Sequence, residues 1–132
     1  MFLCPLNLKE EAMLLGVDHV QITVPKDAEK TAKNFYCEFL GLKEIEKPDN
    51  RKKNGGFWLE LGNSQVHIGL EDGLDRAKTK AHIAYRVSDL ELWRKRLQDK
   101  EIQVSDNLPF PNAKAFEFRD PFGNRIEFIQ HL

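Results

Sequence analysis

The sequence predicts an α+β chain that runs strand-helix-strand-strand-strand and then repeats that order. Three observations carry the prediction. Apolar and polar residues alternate in several short runs, the pattern of strands with one face packed and one face free. Two amphipathic helical stretches interrupt these runs at equivalent places. The halves also match in letters: Asp18-His19-Val20 parallels Ala81-His82-Ile83, and Val66-His67-Ile68 parallels Ile126-Glu127-Phe128. Each half ends in a hairpin whose turn holds Gly-Asn, at Gly62-Asn63 and Gly123-Asn124. An internal duplication accounts for all of this.

The elements follow in order. The first strand runs from about Val17 to Val24 and stops at Pro25. Asp27 offers an N-cap side chain for a helix over roughly Ala28–Phe39, with Ala32, Phe35, Phe39 and Leu40 on one stripe and Gly41 as its C-cap. Leu42–Glu46 reads as a second strand, and the polar stretch Lys47–Gly56 as a loop. Phe57–Leu61 and Gln65–Glu71 are the third and fourth strands. Asp72–Lys80 is charged, and reads as a linker between the halves or a flap over a site.

In the second half, Ala81–Val87 is a strand. Ser88 and Glu91 form a capping box for a helix that ends near Lys100, with Leu90, Trp93 and Leu97 inward. Ile102–Val104 is a short strand, and Asp106–Asn112, with Pro109 and Pro111, a loop. Ala113–Arg119 and Asn124–Gln130 close the chain as strands around the turn Asp120-Pro121-Phe122-Gly123.

At 132 residues and a net charge of −1, the chain suits one domain with a real core. No basic stripe points to nucleic acid, and no apolar run is long enough to span a membrane. The start, Met1-Phe2-Leu3-Cys4-Pro5, is broken too early by charge for a secretory signal. Cys4 and Cys37 form no motif, and Cys37 reads as a packing residue. A reduced cytoplasmic setting is expected. Residues 1–15 stand outside the repeat as an N-terminal extension, with Lys9–Leu15 as a helical turn or loose arm.

The functional clue lies in four polar residues that interrupt apolar strands. His19, His67 and His82 sit in three such runs and Glu127 in a fourth. Alternation turns each away from the apolar face. Imidazoles and a carboxylate presented from separate strands suit a divalent metal. A carboxylate in such a run is rarely buried without a partner. If the two halves share one curved sheet, all four residues would meet on its concave face. Gln21, Trp58 and Arg86 share that face and are expected to bind substrate. There is no phosphate-binding glycine loop, nucleophile elbow or zinc-finger cysteine pair.

From about Gly16 onward the chain resembles the vicinal oxygen chelate superfamily, which includes glyoxalase I, bleomycin resistance proteins, fosfomycin resistance enzymes, methylmalonyl-CoA epimerase and extradiol dioxygenases. The resemblance rests on Asp18-His19-Val20, on Asn34-Phe35-Tyr36 with Phe39-Leu40-Gly41-Leu42, on His82 to Val87, and above all on Phe118-Arg119-Asp120-Pro121-Phe122-Gly123-Asn124-Arg125-Ile126-Glu127-Phe128. It implies two βαβββ modules, about 16–72 and 80–132, forming an open, U-shaped mixed sheet with helices on the convex side. It implies His19, His82 and Glu127 as metal ligands, with His67 as a fourth ligand or a neighbour. His67 stands where glyoxalase I has a glutamate and the epimerases a glutamine, so Glu127 alone remains as the catalytic carboxylate. The resemblance does not separate Zn, Ni, Fe, Co and Mn. It implies a homodimer acting on a small molecule: a metal-dependent isomerase, lyase, thiol transferase or dioxygenase. The alternative is a bleomycin-resistance-like protein that sequesters a small molecule without turnover.

Overall fold

A computed structural model of the chain describes residues 12–132. The reading of Lys9–Leu15 as a turn or arm therefore falls partly outside the described residues, as does Cys4. The expected order is found twice. Module one contains β1 (His19–Val24), α1 (Glu29–Lys33) continued by a π-helix (Asn34–Phe39), β2 (Lys43–Ile45), β3 (Phe57–Leu61) and β4 (Ser64–Leu70). Module two contains β5 (His82–Arg86), α2 (Leu90–Asp99), β6 (Ser105–Asp106), β7 (Ala113–Arg119) and β8 (Arg125–His131). The sheets have the same order, β1-β4-β3-β2 and β5-β8-β7-β6. In each, the first strand runs parallel to the last and the other pairs are antiparallel. The fold class is α+β, as expected. Each module keeps its own open sheet, and β1 and β5 lie at sheet edges.

Register makes the duplication exact at the residue level. His19 stands opposite Gln65 and Gln21 opposite His67. In module two His82 stands opposite Arg125 and Ala84 opposite Glu127. His67 lies beside Trp58 on β3, and Glu127 beside Glu117 on β7. His19 therefore corresponds to His82 and His67 to Glu127.

The intervening residues face the core. Phe57, Leu59, Val66 and Ile68 of one sheet, and Phe116, Phe118, Ile126 and Phe128 of the other, are buried in one cluster with the helices. Burial of each such side chain stabilises the fold by about 1.5–3 kcal/mol. Trp93 on α2 joins the modules, with ring centroids 6.1 Å from Phe39 and 5.2 Å from Phe128. It is half-buried rather than enclosed.

Several local expectations need correction. Asp27 does not cap α1: the N-cap is Ala28, with no side-chain cap bond. The helix widens at Asn34, where the Leu40 amide donates to the Phe35 carbonyl five residues back. This turn brings both Phe35 and Tyr36 into the core, although Tyr36 lies off the expected stripe. In α2 the cap is Asp89, whose carboxylate accepts from the Leu92 amide at 3.1 Å. Glu91 pairs with Arg94 instead of closing a box. The Leu90 amide is taken by the Gln130 side chain.

Ile102–Val104 is not a strand. The Ile102 amide still bonds back to Leu97 after Glu101 takes a φ of 59°. Ile102 and Val104 thus pack on the core as the exit from the helix, and pairing begins at Ser105. The loop at 47–56 contains a 3-10 helix, Asp49–Asn54, and the linker contains a second, Arg76–Lys78. Arg76 is buried. Its guanidinium donates to the Thr23 hydroxyl and to the Glu71 carbonyl, so the linker is tied down on the end of β1.

Candidate functional site

The four singled-out residues form two pairs, one on each sheet. On module one, the diagonal placement of residues 19 and 67 across β1 and β4 stacks the two imidazoles. Their centroids are 4.1 Å apart with planes 14° from parallel. The Trp58 indole covers the other side of His67 at 3.9 Å and 3°. His67 is thus sandwiched in a row of three rings. Its Nε2 is 2.9 Å from the Gln65 side-chain oxygen. Burial pushes the His67 pKa down, and the charges of His19, Lys47 and Arg51 push the same way against Asp18. The neutral imidazole, the form that ligates metals, is therefore favoured. His19 has its Nδ1 2.7 Å from the Asp18 carboxylate, which leaves Nε2 as the free nitrogen.

On module two, the parallel pairing of β5 with β8 sets His82 against Glu127. The His82 Nε2 lies 2.9 Å from the Glu127 Oε1. Its Nδ1 lies 2.9 Å from the Lys80 carbonyl, an acceptor that fixes the proton on Nδ1 and directs Nε2 to the carboxylate. Glu127 is buried, with 8% of its side chain exposed. Arg125 pairs with Glu117 rather than with Glu127.

Among the described residues, no three His, Cys, Asp or Glu side chains are grouped closely enough to hold one ion. Within a single chain the four residues thus remain two separate pairs. The pairs suit a divalent ion chemically. Two imidazoles with a free or freed nitrogen and one buried carboxylate are borderline-to-hard donors. A spacing of 2.9 Å between His82 Nε2 and Glu127 Oε1 is what two adjacent ligands with bonds of about 2 Å would show.

Module one also has a cavity of about 530 Å³, lined by His19, His67, Trp58, Gln21 and Gln65 and, from the loop before β3, by Lys47, Arg51 and Asn54. Of the expected substrate-binding residues, Trp58 and Gln21 line this cavity. Arg86 does not. It is exposed at the far end of β5 and borders a separate recess with Leu40, Leu42 and Leu61. A further recess of about 510 Å³ between the modules has Gln21, Thr23 and His82 in its wall. Sequence reasoning passed over Asp18, Gln65, Lys47 and Arg51. Asp18 was visible as a carboxylate adjoining His19, and Gln65 as the polar residue two before His67. Nothing in a charged loop marked Lys47 and Arg51.

The string Asp120 to Asn124, the strongest part of the resemblance, is structural. Asp120 accepts from the amides of Phe122 and Asn124, from the Asn124 side chain and from the Tyr36 hydroxyl. Asn124 also donates to the Thr23 carbonyl at 2.9 Å. The turn thereby locks module two to the π-helical turn and β1 of module one. Cys37 is half-buried with its pKa raised, chiefly by burial, as a packing residue would be. Among the described residues no helix is long and apolar enough to cross a membrane.

Comparison with known proteins agrees with this geometry. A Bacillus anthracis protein described as of the glyoxalase family is 40% identical, over 92% of this chain and 98% of its own, with a TM-score of 0.83. The genomically encoded fosfomycin resistance protein FosX of Listeria monocytogenes, solved with Mn(II) and sulfate ion, is 17% identical, over 91% of this chain and 93% of its own, with a TM-score of 0.70. An integron cassette protein from the mobile metagenome of V. cholerae is 22% identical, over 92% of this chain and 98% of its own, at a TM-score of 0.66. The last two share the fold. No curated protein matches the chain. Residues 16–128 match the Glyoxalase/Bleomycin resistance protein/Dioxygenase superfamily, and the chain belongs to that superfamily.

Proposed function

We propose that the protein is a metal-dependent enzyme that holds a small oxygenated substrate on a divalent ion bound by His19, His82 and Glu127, with His67 as fourth ligand or neighbour. The observation that carries this reading is the His82–Glu127 pair. A buried carboxylate faces an imidazole nitrogen at 2.9 Å, and that imidazole is oriented from behind by the Lys80 carbonyl. Such backing is the usual support of a metal-ligating histidine. The Mn(II) held by the FosX neighbour supports the choice of a divalent ion.

Because His19 and Glu127 lie in different pairs, we take the protein to act as a homodimer in which His19 of one chain completes the His82–Glu127 pair of its partner. A bound ion would act as a Lewis acid on a substrate carbonyl or enolate oxygen. Glu127 would hold or pass a proton at Oε2, the oxygen that does not face His82. Trp58 and Gln21 would orient the substrate over the sheet of module one, and the apolar core behind each sheet keeps these groups fixed. Reaction type among isomerisation, lyase chemistry, thiol transfer and dioxygenation is left to substrate profiling. The setting we assign is the cytoplasm.

The test is elemental analysis of protein purified without chelator or metal-affinity resin. Stoichiometric divalent metal that is lost in Glu127→Ala upholds the reading, and metal-free protein that binds none on titration overturns it. A second reading, a protein that sequesters a small molecule without turnover, draws on the module one cavity, whose ring stack stands without Glu127. Ligand binding undiminished in metal-free protein would favour it.

A further inference from the structure

We propose that Lys47 and Arg51 form an anion-receiving edge to the module one cavity, so that the ligand carries a small oxyanion group, a carboxylate or a phosphate or phosphonate. The inference deepens the functional reading above, and rests on it in taking this cavity as the substrate site.

The argument is one of charge placement. The loop between β2 and β3 carries four cations, Lys47, Arg51, Lys52 and Lys53. Lys52 is neutralised outside the cavity by Glu46 and Asp49, at 2.8 and 3.1 Å. Lys53 is exposed and does not line the cavity. Lys47 and Arg51 do line it, and among the described residues neither has a carboxylate within ion-pair distance. The cavity's only lining acid among the described residues is Asp18, which is engaged by His19 at 2.7 Å. The cavity wall thus carries two cations against a single carboxylate, Asp18, which is turned to His19.

The loop is also built to keep them there. The Lys47 ammonium donates to the Gly55 carbonyl at 2.6 Å. The Gly56 amide donates to Glu29 at 2.8 Å. Gly56, at φ 79°, lies so close to β4 that a Cβ would sit 2.2 Å from the Ile68 carbonyl oxygen. These contacts hold the loop backbone and the Lys47 ammonium in place without a bound ligand, which lowers the entropic cost of binding. The remaining wall supplies neutral donors, the Asn54, Gln21 and Gln65 side chains, suited to an oxyanion's other lone pairs. The flat indole of Trp58 lines the same cavity.

The test uses the full chain, as purified and after chelator treatment, titrated with inorganic phosphate and with acetate at constant ionic strength. Binding is followed by the NMR signals of the His67 ring and the Arg51 amide. Arg51→Gln removes no side-chain hydrogen bond of the loop, so folding should be unchanged. We expect the Kd of the preferred anion to rise about tenfold or more in Arg51→Gln, as loss of a charge-assisted contact implies. Arg51→Lys should restore most of it, and Lys53→Gln, an equal change of net charge on the same loop, should have little effect. No binding of either anion, or an equal effect of Lys53→Gln, overturns the proposal. Anion binding seen only with metal present and insensitive to Arg51→Gln places the anion on the metal, and overturns the proposal while leaving the metal reading intact. Arg51-dependent binding in a protein that takes up no metal does the reverse.

Discussion

The Tyr36 hydroxyl donates to the Asp120 carboxylate at 2.6 Å, joining helix and turn across 84 positions of the chain. Both residues are buried, Tyr36 fully. The bond links the π-helical turn of module one to the hairpin of module two. The phenol's pKa is raised well above its ordinary value, by burial first and then by the Asp120 charge, so it stays a donor at any working pH. Removing Asp120 would strand this hydroxyl, two amides and the Asn124 side chain together.

Asp120→Ala is therefore expected to cost about 2–4 kcal/mol of stability, since several buried donors lose their acceptor at once. Tyr36→Phe should cost only about 1 kcal/mol, because the carboxylate keeps three donors. Urea unfolding of both variants checks the ordering. A Tyr36→Phe cost equal to that of Asp120→Ala would mean that the turn is not the centre of the lock.

Gly56→Ala should destabilise by about 2–4 kcal/mol. The new methyl group would meet the Ile68 carbonyl at 2.2 Å, and the residue holds a φ of 79° that a side chain disfavours. Gly62→Ala is the control, with positive φ but nothing within 4 Å of its Cβ. It should cost about 1 kcal/mol. Thermal unfolding of the pair separates close approach from backbone strain.

Much of this architecture was legible in the residues. Alternation located β3 and β7 to the residue, and the paired letters around His19 and His82 revealed the duplication that register confirms. The failures have local physical causes. Capping was misassigned because Ser88 and Asp89 both offer oxygens, and only the chain's path decides which reaches the Leu92 amide. Tyr36 was missed because the stripe assumed an unbroken α-helix, and the wider turn rotates it inward. At the site, alternation placed the four polar residues on the non-core faces of their sheets. It could not say that they divide two and two, because this depends on how one sheet is set against the other. Arg86 lies away from the module one cavity for a related reason: β5 belongs to the second sheet, and neither His82 nor Arg86 lines that cavity.

Glu127→Gln should weaken retention of a divalent ion by about tenfold or more, as changes even behind a first ligand already cost 10–100-fold. The neutral amide can still meet His82 Nε2, so the fold should be little disturbed. If the pair is only a structural ion pair, the thermal midpoint should fall and metal content stay unchanged. Metal stoichiometry and melting temperature measured on this one variant distinguish the two.

The division of the donors between modules leads to a stricter test of the dimer. His19→Ala and Glu127→Ala should each lose the metal when alone. In a mixed dimer, the Glu127→Ala chain still offers His19, and the His19→Ala chain still offers His82 and Glu127. If one site takes its donors from both chains, that dimer regains one intact site and leaves the other doubly damaged. Unfolding and refolding the two variants together at equal amounts makes about half of the dimers mixed, so about one quarter of the wild-type metal should return. A site assembled within one chain would return none, because neither variant chain carries a whole donor set. Light scattering on the same sample gives the oligomeric state, and a monomer at micromolar concentration would remove the basis for the exchange.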